Sequence, residues 1–183
     1  MSAKSDITQL SPVATESPTE SLESVLARHS FVKDMPPHLR RILSDLAMRV
    51  SFLPNEYLFR EGDPANRFYL VHTGKVVLEV HLPEGGQVLI ETLTPGDVIG
   101  WSWLFPPYYW HCDARAVAAT EAVFFFGTPL RAECESDHEL GYELLKRMSE
   151  VVIHRLHVTR RQLLQCKARR HWPANARGPE GVG

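Results

Sequence analysis

Between Met48 and Phe126 the chain alternates short β-prone runs with turn residues, and no stretch in between has helical length and period. "RVSFL" stops at Pro54-Asn55, "YLFR" at Gly62-Asp63-Pro64, and "RFYLVH" at Thr73-Gly74. "KVVLEVHL" ends at Glu84-Gly85-Gly86 and "QVLIETL" at Pro95-Gly96-Asp97; the segment "VIGWSWLF" then leads on to "ARAVAAT" and "EAVFFF". Strand-length runs cut by turn signals, without intervening helices, predict an all-β sandwich or roll. Alternation is plainest in "KVVLEVHL", where Val76, Leu78, Val80 and Leu82 are expected on one face. Val77, Glu79 and His81 fall on the other.

Helical patterns flank this block. Leu22, Val25 and Leu26 have helical spacing, and "MPPHLRRILSDLA" places Leu39, Ile42, Leu43 and Leu46 on one face behind entry prolines. After Thr128-Pro129, "PLRAECES" reads as a short helix. Asp137 can cap a long one over 138–166. Along it Leu145, Val152, Thr159 and Cys166 recur every seven residues beside Leu156 and Leu163. Seven residues return a side chain to nearly the same face, so this seam predicts a homodimer helix. Residues 1–18, rich in Ser, Thr and Pro, are expected to be a disordered leader. Residues 167–183 are expected to form a flexible tail, which leaves 19–137 for the leading helices and the β domain.

Bulk properties exclude several function classes. A net charge of −2 gives no basic field suited to nucleic acid, so DNA is not an expected partner. No apolar run approaches the roughly 18 residues of a membrane span. Cys112, Cys134 and Cys166 are odd in number and widely separated, which argues against a disulfide framework or zinc site and fits the cytoplasm. Of 183 residues, 44% are apolar and 23% charged, as in ordinary globular chains. His111-Cys112-Asp113 are consecutive, so on a strand at most two of them converge on one ion. His72 and His81 lack the His-x-His pair of a cupin metal site, and His154 and His157, flanked by arginines, fit a solvated helix face. No catalytic motif is present, and no enzyme activity, cofactor or metal is expected.

Two strings carry a resemblance. "FREGDPANRFYLVHTGKVVLEV" supplies Gly62, Asp63, Phe68, Tyr69 and Gly74, and "LTPGDVIGW" supplies Gly96, Asp97 and Gly100. With two leading helices and a long closing one, they resemble the cyclic-nucleotide-binding domain, the sensor of catabolite-activator-like regulators, kinase regulatory subunits and gated channels. The resemblance covers about 21–165. It implies a mainly β fold with flanking helices: a double-stranded β-helix (jelly-roll) followed by the long C-terminal helix, here standing alone without a helix-turn-helix domain.

The resemblance also implies a ligand cassette, and here the sequence departs from the family. Nucleotide-binding relatives place a Glu after the glycine for the ribose 2′-hydroxyl. An Arg and a small hydroxyl residue then serve the cyclic phosphate. The corresponding stretch is "GWSWLFPPYYWHCDARAVAAT". Trp101 stands where the Glu belongs, Trp110 near the Arg position and His111 near the hydroxyl position. Arg115 is the only arginine nearby, and alternation leaves its direction open. The candidate ligand residues are Gly100, Trp101, Ser102, Trp103, Trp110, His111 and Arg115. The expected function is a small-ligand sensor or regulatory module in signal transduction, whose aromatic pocket takes a cyclic nucleotide or another planar ligand. The alternatives are a ligand-free module that binds a protein partner, with the pocket closed by its own tryptophans, or a transcription regulator lacking its DNA-binding domain.

Overall fold

The structure is a computed structural model that describes residues 20–171, with side chains described as far as residue 166. The leader expected over 1–18 and the last residues of the expected tail lie outside this range. In chain order the elements are α1 (Leu22–Arg28), α2 (Pro37–Leu46), β1 (Met48–Phe52), β2 (Tyr57–Phe59), β3 (Arg67–Thr73), β4 (Val76–His81), β5 (Gln87–Leu93), β6 (Val98–Ile99), β7 (Asp113–Ala116), β8 (Thr120–Phe126), α3 (Gly127–Ser136) and α4 (His138–His171). The closing helix therefore runs five residues beyond the expected end at 166. Its start is fixed by Asp137, whose carboxylate accepts from the backbone N–H groups of Glu139 and Leu140, both at 3.0 Å.

Two four-stranded antiparallel sheets, β1-β8-β3-β6 and β2-β7-β4-β5, form the roll. The central strands of the first sheet, β3 and β8, are buried on both faces, which explains their nearly unbroken apolar runs. Phe68, Leu70, Val123 and Phe125 join a core with α1–α4 through Leu26, Leu39, Leu43, Leu130, Leu140 and Leu144. Tyr69, Val71 and Phe124 turn inward and meet Leu58, Phe59, Leu78, Ala114 and Trp110 from the second sheet and the loop before it. Gly74 holds the β3–β4 corner at φ +86°, and a Cβ there would lie 2.3 Å from the Ala119 carbonyl oxygen. Only glycine fits that corner.

The expected faces hold over 76–79, where Val76 and Leu78 join the inner core and Val77 and Glu79 do not, but the expected contrast in burial is lost. Val76, Val77, Leu78 and Glu79 are all buried, Val80 is half-buried and Leu82 is exposed. The pairing with β5 also carries a bulge: Leu78 pairs with Glu91 but Glu79 pairs with Leu89, which leaves Ile90 as the extra residue. The offset releases the Ile90 carbonyl, and it accepts from Gln162 Nε2 of α4 at 3.1 Å. Several strands are also shorter than their apolar runs; only Val98 and Ile99 of "VIGWSWLF" pair, because the tryptophan segment beyond Gly100 bends away.

Candidate ligand site

The return of the chain after β6 is held by the β2–β3 turn. Gly62 N–H donates to the Trp110 carbonyl at 2.9 Å and Trp110 N–H donates to the Asp63 carbonyl at 3.0 Å. Ala65 N–H reaches the Tyr108 carbonyl at 2.6 Å. This is what the glycine-aspartate signature does here: its exposed backbone groups fix where the cassette loop ends.

A cavity of about 220 Å³ opens between the cassette, the roll and α4. Phe59, Leu78 and Ile90 form its apolar floor. Gly100, Trp101, Ser102, Trp110, His111 and Cys112 form the cassette side, while Arg155, Val158 and Thr159 of α4 close it opposite Glu91 of β5. Five of the seven candidate residues thus meet at one cavity: Gly100, Trp101, Ser102, Trp110 and His111.

Trp110 lies flat on Phe59, with ring centroids 3.7 Å apart and an interplanar angle of 9°. Its ring runs under Gly100, where an added Cβ would sit 2.5 Å from Cη2. Gly100, at φ +84°, therefore gives the tryptophan its seat. Trp101 is half-buried at the mouth, tilted toward His111 at 6.4 Å.

The other two candidates lie elsewhere. Trp103 is fully buried on the helix side of the first sheet, 5.8 Å from Phe68 between ring centroids. It belongs to the core. Arg115 pairs across β7 and β4 with buried Glu79, its Nε donating to Oε1 at 2.7 Å and Nη2 to Oε2 at 2.9 Å. A third bond reaches Asn55 Oδ1 at 3.1 Å. Its neighbour on β7, Ala114, faces the roll interior, so Arg115 must point out. These bonds hold the Glu79 carboxyl below its usual range, against the opposing effect of burial. Asp113, whose Oδ1 accepts from Glu61 N–H at 2.7 Å, is no cavity residue either. Among the described residues no group of three metal-ligating side chains converges.

The spacing around the cassette gave no sign of Arg155 or Glu91. Arg155 is half-buried, its Nε 3.2 Å from Glu91 Oε2, and it also donates to the Val98 carbonyl. Burial lowers its pKa although Glu91 opposes the shift. It is the only lysine or arginine among the described residues lining the cavity. A second cavity, about 350 Å³, lies on the far side of Arg155 and Glu91, bounded by Ser30, Asp97, Arg147 and Glu150. Cys112 is half-buried, and burial pushes its thiol up to about 11. The available signal was the i, i+3, i+4, i+7 stripe Arg155, Val158, Thr159, Gln162 on α4. Thr159, placed by its seven-residue spacing on the dimer seam, lines the cavity; His154 and His157 are exposed.

Residues 49–137 match the family profile of the cyclic nucleotide-binding domain. Among curated proteins, a CRP-like cAMP-activated global transcriptional regulator of Mycobacterium tuberculosis is 26% identical over 125 residues. The alignment covers 68% of this chain and 56% of the regulator, so the chain spans little more than half of that relative. A solved structure from Geobacter metallireducens, described as a cyclic nucleotide-binding protein, is 25% identical with a TM-score of 0.62. It covers 69% of this chain and 92% of the other. A cyclic nucleotide-binding domain from Methylobacillus flagellatus shares the fold at 20% identity, TM-score 0.70, covering 79% and 83%. The corner glycines and the cassette turn seated on the β2–β3 loop lie within the matched segment: residues 49–137 are a domain of the cyclic nucleotide-binding family.

Proposed function

We propose that the protein is a non-enzymatic regulatory sensor of the cytoplasm, which takes a small planar ligand other than an ordinary cyclic nucleotide and reports it through α4. One observation carries this reading: the cavity is walled by the cassette on one side and by Arg155, Val158 and Thr159 of α4 on the other. A ligand there touches the closing helix directly, so its affinity depends on where the helix sits. That difference biases a two-state element. Trp101 and Trp110 occupy the positions from which relatives of this family would serve ribose and phosphate, and Phe59, Leu78, Ile90 and Val158 add apolar wall around them. The curated relative is itself a regulator.

The output is proposed to be a homodimer through α4. Leu145, Leu156 and Leu163 are exposed along the helix, with Ile153 and Leu164 beside them. Light scattering is expected to give twice the mass of one chain. The paired substitution Leu156→Asp and Leu163→Asp should halve it, and an unchanged mass would remove α4 as the interface.

The sensor reading is tested by a thermal-shift screen of planar compounds followed by hydrogen exchange. A binder should change protection over residues 151–162. Binding at the cassette that leaves α4 exchange untouched would contradict the coupling. The stack of Trp110 on Phe59 also favours a second reading, a ligand-free module that engages a protein partner. Failure of every compound to shift the transition would favour that one.

A further inference from the structure

Among the described residues the cavity carries a single lysine or arginine, and it comes from the helix rather than from the cassette. The Arg155 guanidinium has five N–H donors. Nη2 is used by the Val98 carbonyl and Nε faces Glu91, while no hydrogen bond among the described residues uses Nη1. Glu91 does not fully offset the cost of burial, since the net effect on Arg155 is a lowered pKa. No second anion is available from the lining, because the Cys112 thiol, pushed up to about 11, is neutral near pH 7. The other polar side chains of the lining, the Ser102 and Thr159 hydroxyls and the His111 imidazole, can each donate as well as accept. At the helix end of the cavity the Arg155 guanidinium therefore keeps donor capacity beyond its pairing with Glu91. At the other end Trp101 and the Trp110–Phe59 stack present aromatic surface. The volume of about 220 Å³ is below the roughly 300–1,000 Å³ of sites for drug-sized ligands, which favours one or two rings.

We propose that this cavity binds a small aromatic carboxylate, its ring against the cassette tryptophans and its carboxylate on Arg155. The inference rests on the sensor reading above and names the class of ligand for that site. Arg155 bridges two carboxylates in the bound state, Glu91 on one edge and the ligand on the other. The fork geometry of guanidinium suits two such partners, and the exchange of water for a second anion relieves its incomplete compensation. Since Glu91 and Arg155 also form the wall toward the second cavity, the anion sits at the point where α4 is tied to β5 and β6.

The test is calorimetric titration of the full chain with benzoate, 2-naphthoate and indole-3-carboxylate, each beside its neutral carboxamide, and with cyclic AMP. At least one acid is expected to bind about tenfold or more tightly than its amide, the scale of a hydrogen bond to a charged group. The preference should persist in Arg155→Lys and vanish in the double substitution Arg155→Gln with Glu91→Gln, which leaves no unpaired charge. Thermal unfolding checks that the double variant folds; if it does not, Arg155→Lys and the acid–amide comparison still decide. Equal binding of acids and amides, or an acid preference that survives the double substitution, would overturn the role of Arg155 and leave the sensor reading standing. Binding of cyclic AMP with none of the acids would overturn both the aromatic-carboxylate class and the exclusion of ordinary cyclic nucleotides, and leave only the coupling through α4 standing. No binding by any planar compound would overturn the ligand class and the sensor reading together.

Discussion

Two arginine–glutamate pairs bracket this domain, and they do different work. Arg115–Glu79 lies within one sheet: β7 and β4 are already registered by their backbone bonds, and the bidentate pair locks a contact that the ladder has made. Arg155–Glu91 joins two separate elements, a helix and a strand, at the edge of a cavity. The first adds to stability and cannot report on anything, because its partners move together. The second has to break or shift if α4 moves. A charge placed between elements is where a ligand can act on structure, whereas a charge inside a ladder is satisfied locally. The tryptophans divide similarly: Trp103 is core and Trp110 is cavity wall, while Trp101 lines the cavity and packs against the edge of the helix-side core.

The comparison is broken most severely by Trp103. Trp103→Ala should cost about 3–5 kcal/mol in denaturant unfolding, the usual range for emptying a large buried aromatic site. Half-buried Trp101→Ala should cost well under half of that. Equal costs would mean that both rings belong to one core. Next, Arg115→Gln should lower stability by about 1.5–3 kcal/mol, since it strips buried Glu79 of charge-assisted bonds. It should leave any ligand titration unchanged; weakened ligand binding would move Arg115 back to the cassette.

The same pair gives a pH dependence with a definite sign. Hydrogen bonds from Arg115 hold the folded pKa of Glu79 below its ordinary value of 4.5. The stabilisation is complete above that value and fades as pH falls through the depressed folded pKa. Wild type and Glu79→Gln should therefore differ most in unfolding midpoint above pH 4.5, with the difference shrinking as pH is lowered below it. A difference that stays constant as the pH falls would show that the carboxylate charge is not what matters. The smallest effect concerns thiol access. Iodoacetamide at pH 8 should label exposed Cys166 ahead of Cys112 and Cys134, both held at about 11 by burial. At that pH about one in a thousand of the buried thiols is thiolate. Fast labelling of Cys112 would mean that the cavity opens more widely than the structure shows.

Much of this was legible in the residues. The turn glycines, the apolar runs and the capping Asp137 located the strands and the closing helix, because each acts locally through φ, burial or a cap. The cassette stretch was found for the same reason, since its two flanking turns are local signals. The bulge at Ile90 was not, because it arises from the pairing register of two strands and not from either strand alone. Arg115 and Arg155 were misjudged together: nearness to the cassette in sequence favoured the first, while the second arrives from about forty positions downstream by the docking of α4. Trp103 was misassigned because the segment beyond Gly100 is not a strand, so no periodicity distinguishes a ring that enters the helix-side core from one that lines the cavity.

The most direct measurement is calorimetric titration of the purified chain with cyclic AMP and cyclic GMP at 25 °C. With Trp101 and Trp110 in the cassette and its only cation on α4, no saturable heat is expected up to millimolar nucleotide. Stoichiometric binding in the micromolar range would contradict this, and would mean that the cavity serves ribose and cyclic phosphate with groups other than those its relatives use.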